Sequence, residues 1–138
     1  MNLYLMPRTT GWAATLLLGI LGSLFTVCPW YCFAAEVIIP DPNFERVIRE
    51  KIQKPVGSID ESDLASIEVF HATDAQIHTI EGIQHFTRLK TLGLHQNRIS
   101  DLGSIGTLTQ LEFLHLGDNG LSDVEILAPL VNLRKLYI

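Results

Sequence analysis

Three histidines, His71, His95 and His115, are the residues of this 138-residue chain whose types and spacing could do chemistry. Imidazole binds transition metals and serves as a general acid or base near neutral pH. Catalysis would also need a nucleophile or carboxylate partner in reach. The sequence contains no H-E-x-x-H, paired-carboxylate, G-x-S-x-G or phosphate-loop pattern. We therefore predict no catalytic residue, no metal site and no cofactor, and we expect that the protein is not an enzyme.

The elements that position these histidines follow from a repeat of 22 residues in the second half of the chain. Copies begin at Ile67, Leu89, Leu111 and Leu133, and positions 1, 4, 6, 11, 14, 17 and 20 are apolar in all three complete copies. A repeat of this length provides one strand, one tight corner and one return segment, and it buries its apolar edge only by stacking on its neighbours. The period therefore predicts an α/β repeat solenoid.

A specific motif lies inside this period. The pattern L-x-x-L-x-L-x-x-N-x-I/L occurs at residues 89–99 and again at residues 111–121. These segments resemble leucine-rich repeats, in particular the bacterial internalin-like group, whose I-S-D-L phrase is present at residues 99–102. The resemblance covers residues 67–138, with three complete repeats and the start of a fourth. It implies a leucine-rich repeat fold with parallel β-strands on the concave face.

The asparagines of this motif, Asn97 and Asn119, have a structural explanation. An amide offers both donors and an acceptor, so a buried Asn at a corner can satisfy backbone groups that the turn leaves unpaired. The family resemblance implies that such residues stack into a ladder. The first copy carries Ala75 at this position, which indicates a transitional repeat.

The first part of the chain, residues 1–35, is predicted to be a signal peptide. A basic start precedes an apolar run over residues 12–27, and a small-residue exit follows. We expect cleavage near Ala34 or Ala35, which would place the protein outside the cell or in the cell envelope. The alternative is an uncleaved membrane anchor formed by residues 12–33.

Residues 36–66 differ from the repeats and are predicted to form an N-terminal helical cap. Asp41-Pro42 is a strong helix start, and apolar residues then recur at helical spacing until Pro55 and Gly57. An amphipathic helix here would cover the open apolar end of the solenoid. The segment is similar to the amino-terminal caps of internalin-like proteins, although a charged helix could instead contact a partner.

The other end of the sequence carries no such cap. The chain stops within the strand of a fourth repeat, at residues 136–138, where apolar positions are due to face the core. We expect that the chain is a fragment or truncated relative of a longer repeat protein. Purified alone, it should self-associate through the uncapped repeat or be only marginally stable.

The candidate binding residues follow from the alternation of side chains along a strand. With positions 4 and 6 of each copy inside, positions 3, 5 and 7 point out onto the concave sheet. Exposed aromatic and hydrogen-bonding residues of this kind are common at recognition sites. The residues predicted to bind a partner are Val69, His71, Thr91, His95, Phe113, His115, Lys135 and Tyr137.

Other features of this face and of its surroundings leave alternatives open. Gly93 and Gly117 are expected to leave shallow hollows for partner side chains. The face could instead hold a metal or catalytic centre made by the three histidines, or consist of solvated scaffold positions. Strands two apart are separated by about 10 Å, which is too far for His71 and His115 to share one metal ion.

His78 and His85 fall outside the predicted strands and have no assigned role.

Charge and fold together predict the function. The formal net charge of −5 excludes general nucleic-acid binding, which needs a basic face. Membrane contact would come only through an uncleaved leader. We therefore expect a non-catalytic, secreted or cell-envelope module that recognises a protein or surface glycan through its concave sheet. The alternative is a structural spacer or regulatory segment of a larger envelope protein.

Overall fold

A computed structural model of the protein describes residues 36–138. The predicted signal peptide and its cleavage site lie outside the described residues. Within residues 36–138, no helix is long and apolar enough to cross a membrane. The elements of this part are helices α1 (Pro42–Ile52) and α2 (Glu61–Ala65), strands β1 (Val69–His71), β2 (Thr91–Gly93), β3 (Phe113–His115) and β4 (Lys135–Tyr137), and 3-10 turns at Ile83–His85, Ile105–Thr107 and Glu125–Leu127.

The four strands form one parallel sheet in the order β1-β2-β3-β4. Val69 pairs with Thr91, Thr91 with Phe113, and Phe113 with Lys135, so each step between strands is one repeat of 22 residues. The predicted α/β repeat solenoid with parallel strands is therefore confirmed. Strands of three residues suffice because each return segment brings the chain back to the same register.

The core is built from the repeating apolar positions. Leu92 and Leu114, in the middle of their strands, are fully buried. The matching residue of β4, Leu136, is 40% exposed. Position 14 behaves in the same way, since Ile80 is buried and Val124 is 43% exposed. Each copy is covered by the copy that follows it, so burial declines in the last copy of the described chain.

Helix α1 begins where the sequence predicts. The Asp41 side chain caps its free amides, and Pro42 occupies the first turn. Its buried face includes Phe44, whose ring centroid lies 5.8 Å from that of Phe70 and 6.4 Å from that of Phe86. The three rings join α1 to the first repeat through apolar contact. The assignment of residues 36–66 as a cap stays a prediction.

The segment around α1 and α2 is tied together by polar contacts. The Val37 backbone N–H donates to the Ile59 carbonyl over 2.7 Å. The Asp63 carboxylate accepts the backbone N–H of Asp60, at 2.9 Å, and the Lys54 ammonium, at 2.8 Å. Because of the Asp60 and Lys54 hydrogen bonds, the pKa of Asp63 lies below its ordinary value. These contacts hold the segment in front of α1 against the segment that leads into the repeats.

Candidate binding surface on the concave sheet

The eight predicted contact residues all lie on or beside the outward face of the sheet. Residues at the same repeat position pair across successive strands, so they form columns in which neighbouring residues lie about 4.8 Å apart. Val69, His71, Lys135 and Tyr137 are exposed, whereas Thr91, His95, Phe113 and His115 are half-buried. The structure thus brings the predicted residues to one surface, and whether a partner uses them stays a prediction.

Four of these residues form a continuous row of rings, which we call the aromatic row. The His95 and His115 rings stack with centroids 4.4 Å apart and planes at 21°. Tyr137 meets His115 edge-on at 5.2 Å, and Phe113 lies 5.6 Å from Tyr137. Mutual contact restricts the rotamers of these rings, so a partner that binds them has less side-chain entropy to remove.

The contact between His95 and His115 is not evident from column positions. His95 lies at position 7 of its copy and His115 at position 5 of the next, so the sequence places them in different columns. In the structure His95 leans diagonally onto the next strand's residue. Its Nδ1 also lies 3.2 Å from the Thr73 hydroxyl oxygen of the preceding copy. His95 therefore contacts both neighbouring repeats, which a single-strand alternation rule does not predict.

The expectation of hollows beside the glycines is wrong for Gly93. The His71 ring lies directly over Gly93, and a Cβ atom added there would overlap its Nδ1. At Gly117 the added Cβ would lie 3.2 Å from His115 Nε2. The missing side chains thus make room for the chain's own imidazoles. The physical reason is that glycine leaves the neighbouring position on the sheet without a side chain. The imidazole ring lies down over that position, which reduces the exposed area of the ring.

A second row runs beside the aromatic row, at position 2 of each copy. It alternates in sign and consists of Glu68, Lys90, Glu112 and Arg134, which we call the charge ladder. The Lys90 ammonium lies 3.0 Å from the Glu68 carboxylate, and the Arg134 guanidinium lies 3.4 Å from that of Glu112. No sequence motif marks this set, although the alternation of sign is visible once the repeat register is known.

The charge ladder has electrostatic and steric consequences. The side-chain hydrogen bond from Lys90, followed by its positive charge, holds the pKa of Glu68 below its ordinary value. Between the ladder and the column that contains Val69, Thr91, Phe113 and Lys135 lies a groove of about 340 Å³. The charge ladder is therefore a ridge of charged side chains along one border of the concave sheet. The shallow groove lies between this ridge and the column that begins with Val69.

The motif asparagines lie at the corners that follow the strands. Asn97 is buried, its Oδ1 accepts the backbone N–H groups of Ala75 and Ile77, and its Nδ2 donates to the carbonyls of Ala72 and Leu94.

Asn119 repeats this arrangement one copy later, where its Oδ1 accepts from Ile99 and its Nδ2 donates to Leu94 and Leu116. Each amide serves the corner of its own copy and that of the preceding copy. The corner of the first copy, which carries Ala75, is thus satisfied by the amide of the second copy.

The two histidines without an assigned role lie where the N-terminal segment meets the first repeat. The backbone N–H of His78 donates to the Asp41 carboxylate over 2.8 Å. His85 Nδ1 lies 3.2 Å from the Glu61 carboxylate at the start of α2. Both contacts join the start of a helix, the N-cap Asp41 of α1 or the first residue Glu61 of α2, to the return segment of the first copy. Sequence spacing gives no signal for them because the partners are far apart along the chain.

A metal site requires several ligand side chains close to one another. Among residues 36–138, no three His, Cys, Asp or Glu side chains come together so that they could hold a metal ion. Every buried side-chain nitrogen and oxygen of the same residues has a hydrogen-bond partner. The stacked imidazoles present their faces to each other, which is an arrangement for contact rather than for convergence on one ion.

One short parallel strand per 22-residue copy, with a ladder of amides at the corners, defines a leucine-rich repeat protein. Among solved structures, an internalin (inlF) of Listeria monocytogenes matches with a TM-score of 0.71 and 32% identity over 73% of this chain and 30% of its own length. Internalin C2 of the same organism matches with a TM-score of 0.69 and 32% identity over 72% and 45%. The chain is an internalin-like leucine-rich repeat protein.

Further comparisons show how far the similarity to known proteins extends. The structure of CBM51-2 and INT domains of Clostridium perfringens ZmpB matches with a TM-score of 0.54 and 25% identity over 59% of this chain and 17% of its own. No protein-family model matches the sequence, and no curated protein is significantly similar to it. The chain spans less than half the length of either internalin.

Proposed function

We propose that the protein is a non-catalytic binding module of the cell envelope or the secreted fraction, and that it recognises a protein or a surface glycan through its concave sheet. The aromatic row is the observation that carries this proposal. It places two half-buried imidazoles and two larger rings side by side over β2, β3 and β4. Clustered aromatic residues that lose their remaining exposure on binding are the usual energetic centres of interfaces.

The rigidity of the scaffold supports the same proposal. Under β2 and β3 the floor of the sheet consists of the fully buried Leu92 and Leu114, and the corners are fixed by Asn97 and Asn119. A preformed surface needs little ordering when it binds, so more of the contact energy appears as affinity. Phe113 and Tyr137 would be the anchors, His95 and His115 would supply hydrogen bonds, and Val69, His71, Thr91 and Lys135 would form the border.

Photo-crosslinking tests the proposal directly. A photoreactive amino acid replaces Thr91 or Lys135 on the concave side, and Thr107 serves as the matched position in a return segment. Chains bearing the probe are exposed to intact cells and to extracted envelope material. The proposal expects both concave positions to link to the same molecule and the Thr107 position to link to nothing.

Substitution then separates recognition from a spacer role. The pair Phe113→Ala and His115→Ala should abolish the crosslink from Thr91, since truncating an anchor typically costs about 2 kcal/mol of binding energy or more. Val131→Ala removes an apolar residue that is 82% exposed and lies outside the sheet, so it should leave the crosslink intact. An unchanged crosslink in the double variant would show that Phe113 and His115 are not the anchors. If the unsubstituted chain forms no crosslink from either concave position, the concave face is rejected as the binding site and the spacer is favoured.

The proposed location outside the cytoplasm has its own test. If residues 1–35 act as a signal peptide, the processed protein should begin at Ala35 or Glu36. Amino-terminal sequencing of the protein recovered from the medium or the envelope gives this residue directly. Recovery of the intact leader from the membrane fraction would instead support the anchor formed by residues 12–33.

A further inference from the structure

The charge ladder takes no part in the proposed function. The order of positive and negative charges along it indicates how it could bind another molecule. Its side chains keep between 41% and 79% of their surface exposed, so they remain available to another molecule. The signs run acid, base, acid, base from β1 to β4. A row of this kind reads as base, acid, base, acid from its other end. Two such rows placed antiparallel therefore face each other with opposite charges at every position.

This charge complementarity favours a second copy of the chain as the molecule that binds the ladder and its groove. We propose that the ladder is an interface between two copies of the chain related by a two-fold axis. Glu68 would then oppose Arg134 of the second copy, and Lys90 would oppose Glu112 of the second copy. A parallel arrangement would place like charges together, which is unfavourable. The interface is isologous because the same surface is used by both copies.

The shape of the border agrees with this arrangement. The ladder is a ridge, and the groove of about 340 Å³ lies immediately behind it, over Val69, Thr91 and Phe113. When two such borders meet antiparallel, the ridge of each copy enters the groove of the other. The aliphatic stems of Lys90 and Arg134 then lie over the apolar floor while their charged ends reach the opposing carboxylates.

The association is weak and depends on salt. The ladder residues already pair within the chain, as Lys90 does with Glu68 at 3.0 Å, so dimerisation partly exchanges one ion pair for another. Charge order thus sets the orientation of the dimer more than its affinity. Because Phe113 is covered, dimerisation would compete with the proposed partner.

Sedimentation equilibrium of the full chain tests the inference without any external partner, so its outcome is independent of the proposed function. We expect a monomer–dimer equilibrium at low salt, with a dissociation constant that rises about tenfold between roughly 0.05 and 0.5 M salt because the exposed charges become screened. Lys90→Glu and Glu112→Lys should each raise that constant by about tenfold or more, since each change acts twice across the axis. Glu81→Lys, an exposed charge reversal in a return segment, is the control and should change it little.

The double variant Lys90→Glu with Glu112→Lys is the decisive sample. It restores opposite charges across the two-fold axis, but it places like charges next to each other within one chain. We expect its dimer to return to within about threefold of the original dissociation constant. A chain that stays monomeric at low salt, or a double variant no better than the single ones, would overturn the inference. So would a dimer that Leu136→Asp dissociates and Lys90→Glu does not, because that dimer would use the exposed side of β4 instead of the charge ladder.

Discussion

The Asp41 carboxylate lies 2.8 Å from the backbone nitrogen of His78, which is 37 residues later in the chain. The same oxygen accepts the backbone N–H of Thr79, and the other oxygen accepts those of Asn43 and Phe44. A carboxylate that is 5% exposed thus receives four backbone hydrogen bonds. It caps α1 and fastens the start of that helix to the return segment of the first repeat.

Removing this carboxylate should destabilise the protein more than the loss of an ordinary helix cap. Asp41→Ala removes the cap and leaves the His78 and Thr79 amides without a partner, so we expect a loss of about 2–3 kcal/mol in the free energy of unfolding. Asp101→Ala is the matched control because Asp101 is exposed and accepts one hydrogen bond, from Gly103. Urea denaturation measures both. Equal losses would show that the contact to His78 adds nothing.

The same site predicts how stability responds to acid. Burial alone would raise the pKa of Asp41, but the four backbone N–H donors together lower it from its ordinary value of 3.8. A group with a lowered folded-state pKa contributes stability above its unfolded value, and that stability is lost as the pH falls through the folded value. The contribution of Asp41 should therefore be complete above about pH 4 and decline below it.

Asp41→Asn isolates this effect because it keeps the shape of the side chain and removes the titration. Denaturation curves between pH 2.5 and pH 7 should show a shallower loss of stability in the variant below pH 4. The difference between the two proteins should be largest near neutral pH and should shrink in acid. A constant difference over the whole range would mean that Asp41 titrates alike in the folded and unfolded chains.

The sequence predicted one half of the role of Asp41 and could not predict the other. Asp-Pro ahead of an apolar helical pattern is a local signal, so the start of α1 at Pro42 was confirmed. The bonds to His78 and Thr79 involve backbone N–H groups, which every residue except proline carries. No residue type marks such a donor, and no local rule connects positions 37 residues apart.

On the concave surface, too, the sequence predicted some features and could not predict others. The 22-residue period fixed the strands and their register, because one slipped residue would turn the apolar positions outward. It did not fix side-chain direction on the outer face, where several rotamers avoid clashes. The stacking of His95 on His115 and the position of His71 over Gly93 depend on those rotamers. The apolar repeat thus predicts the scaffold, whereas the arrangement of the candidate site requires coordinates.

The corner asparagines should differ in importance. Asn97 is 8% exposed and accepts two backbone N–H groups, whereas Asn119 is half-buried and accepts one. Asn97→Ala leaves several backbone groups unpaired, so we expect a loss of about 3 kcal/mol, and for Asn119→Ala about half of that. Thermal or urea unfolding of the two variants gives the ratio. An equal cost would show that water replaces the Asn97 amide as easily as it replaces that of Asn119.

Gly82 combines a backbone constraint with a close contact. Its φ is +100°, and a Cβ atom added there would overlap the Ile39 side chain. Gly103, with φ of +50° and open space around it, serves as the matched control. Gly103→Ala should cost about 1 kcal/mol for the left-handed backbone alone. Gly82→Ala should cost about 1–2 kcal/mol more because Ile39, which is buried, must move.

A double-mutant cycle can assign the extra cost of Gly82→Ala. Ile39→Val removes the Cδ1 atom that the new methyl group would overlap, and by itself it should cost about 1 kcal/mol. If the overlap causes the extra cost, the combined variant should be less destabilised than the sum of the single variants by about 1 kcal/mol. Additive losses would locate the cost in the backbone at Gly82. The cycle therefore tests whether the extended segment before α1 packs on the first repeat through Ile39.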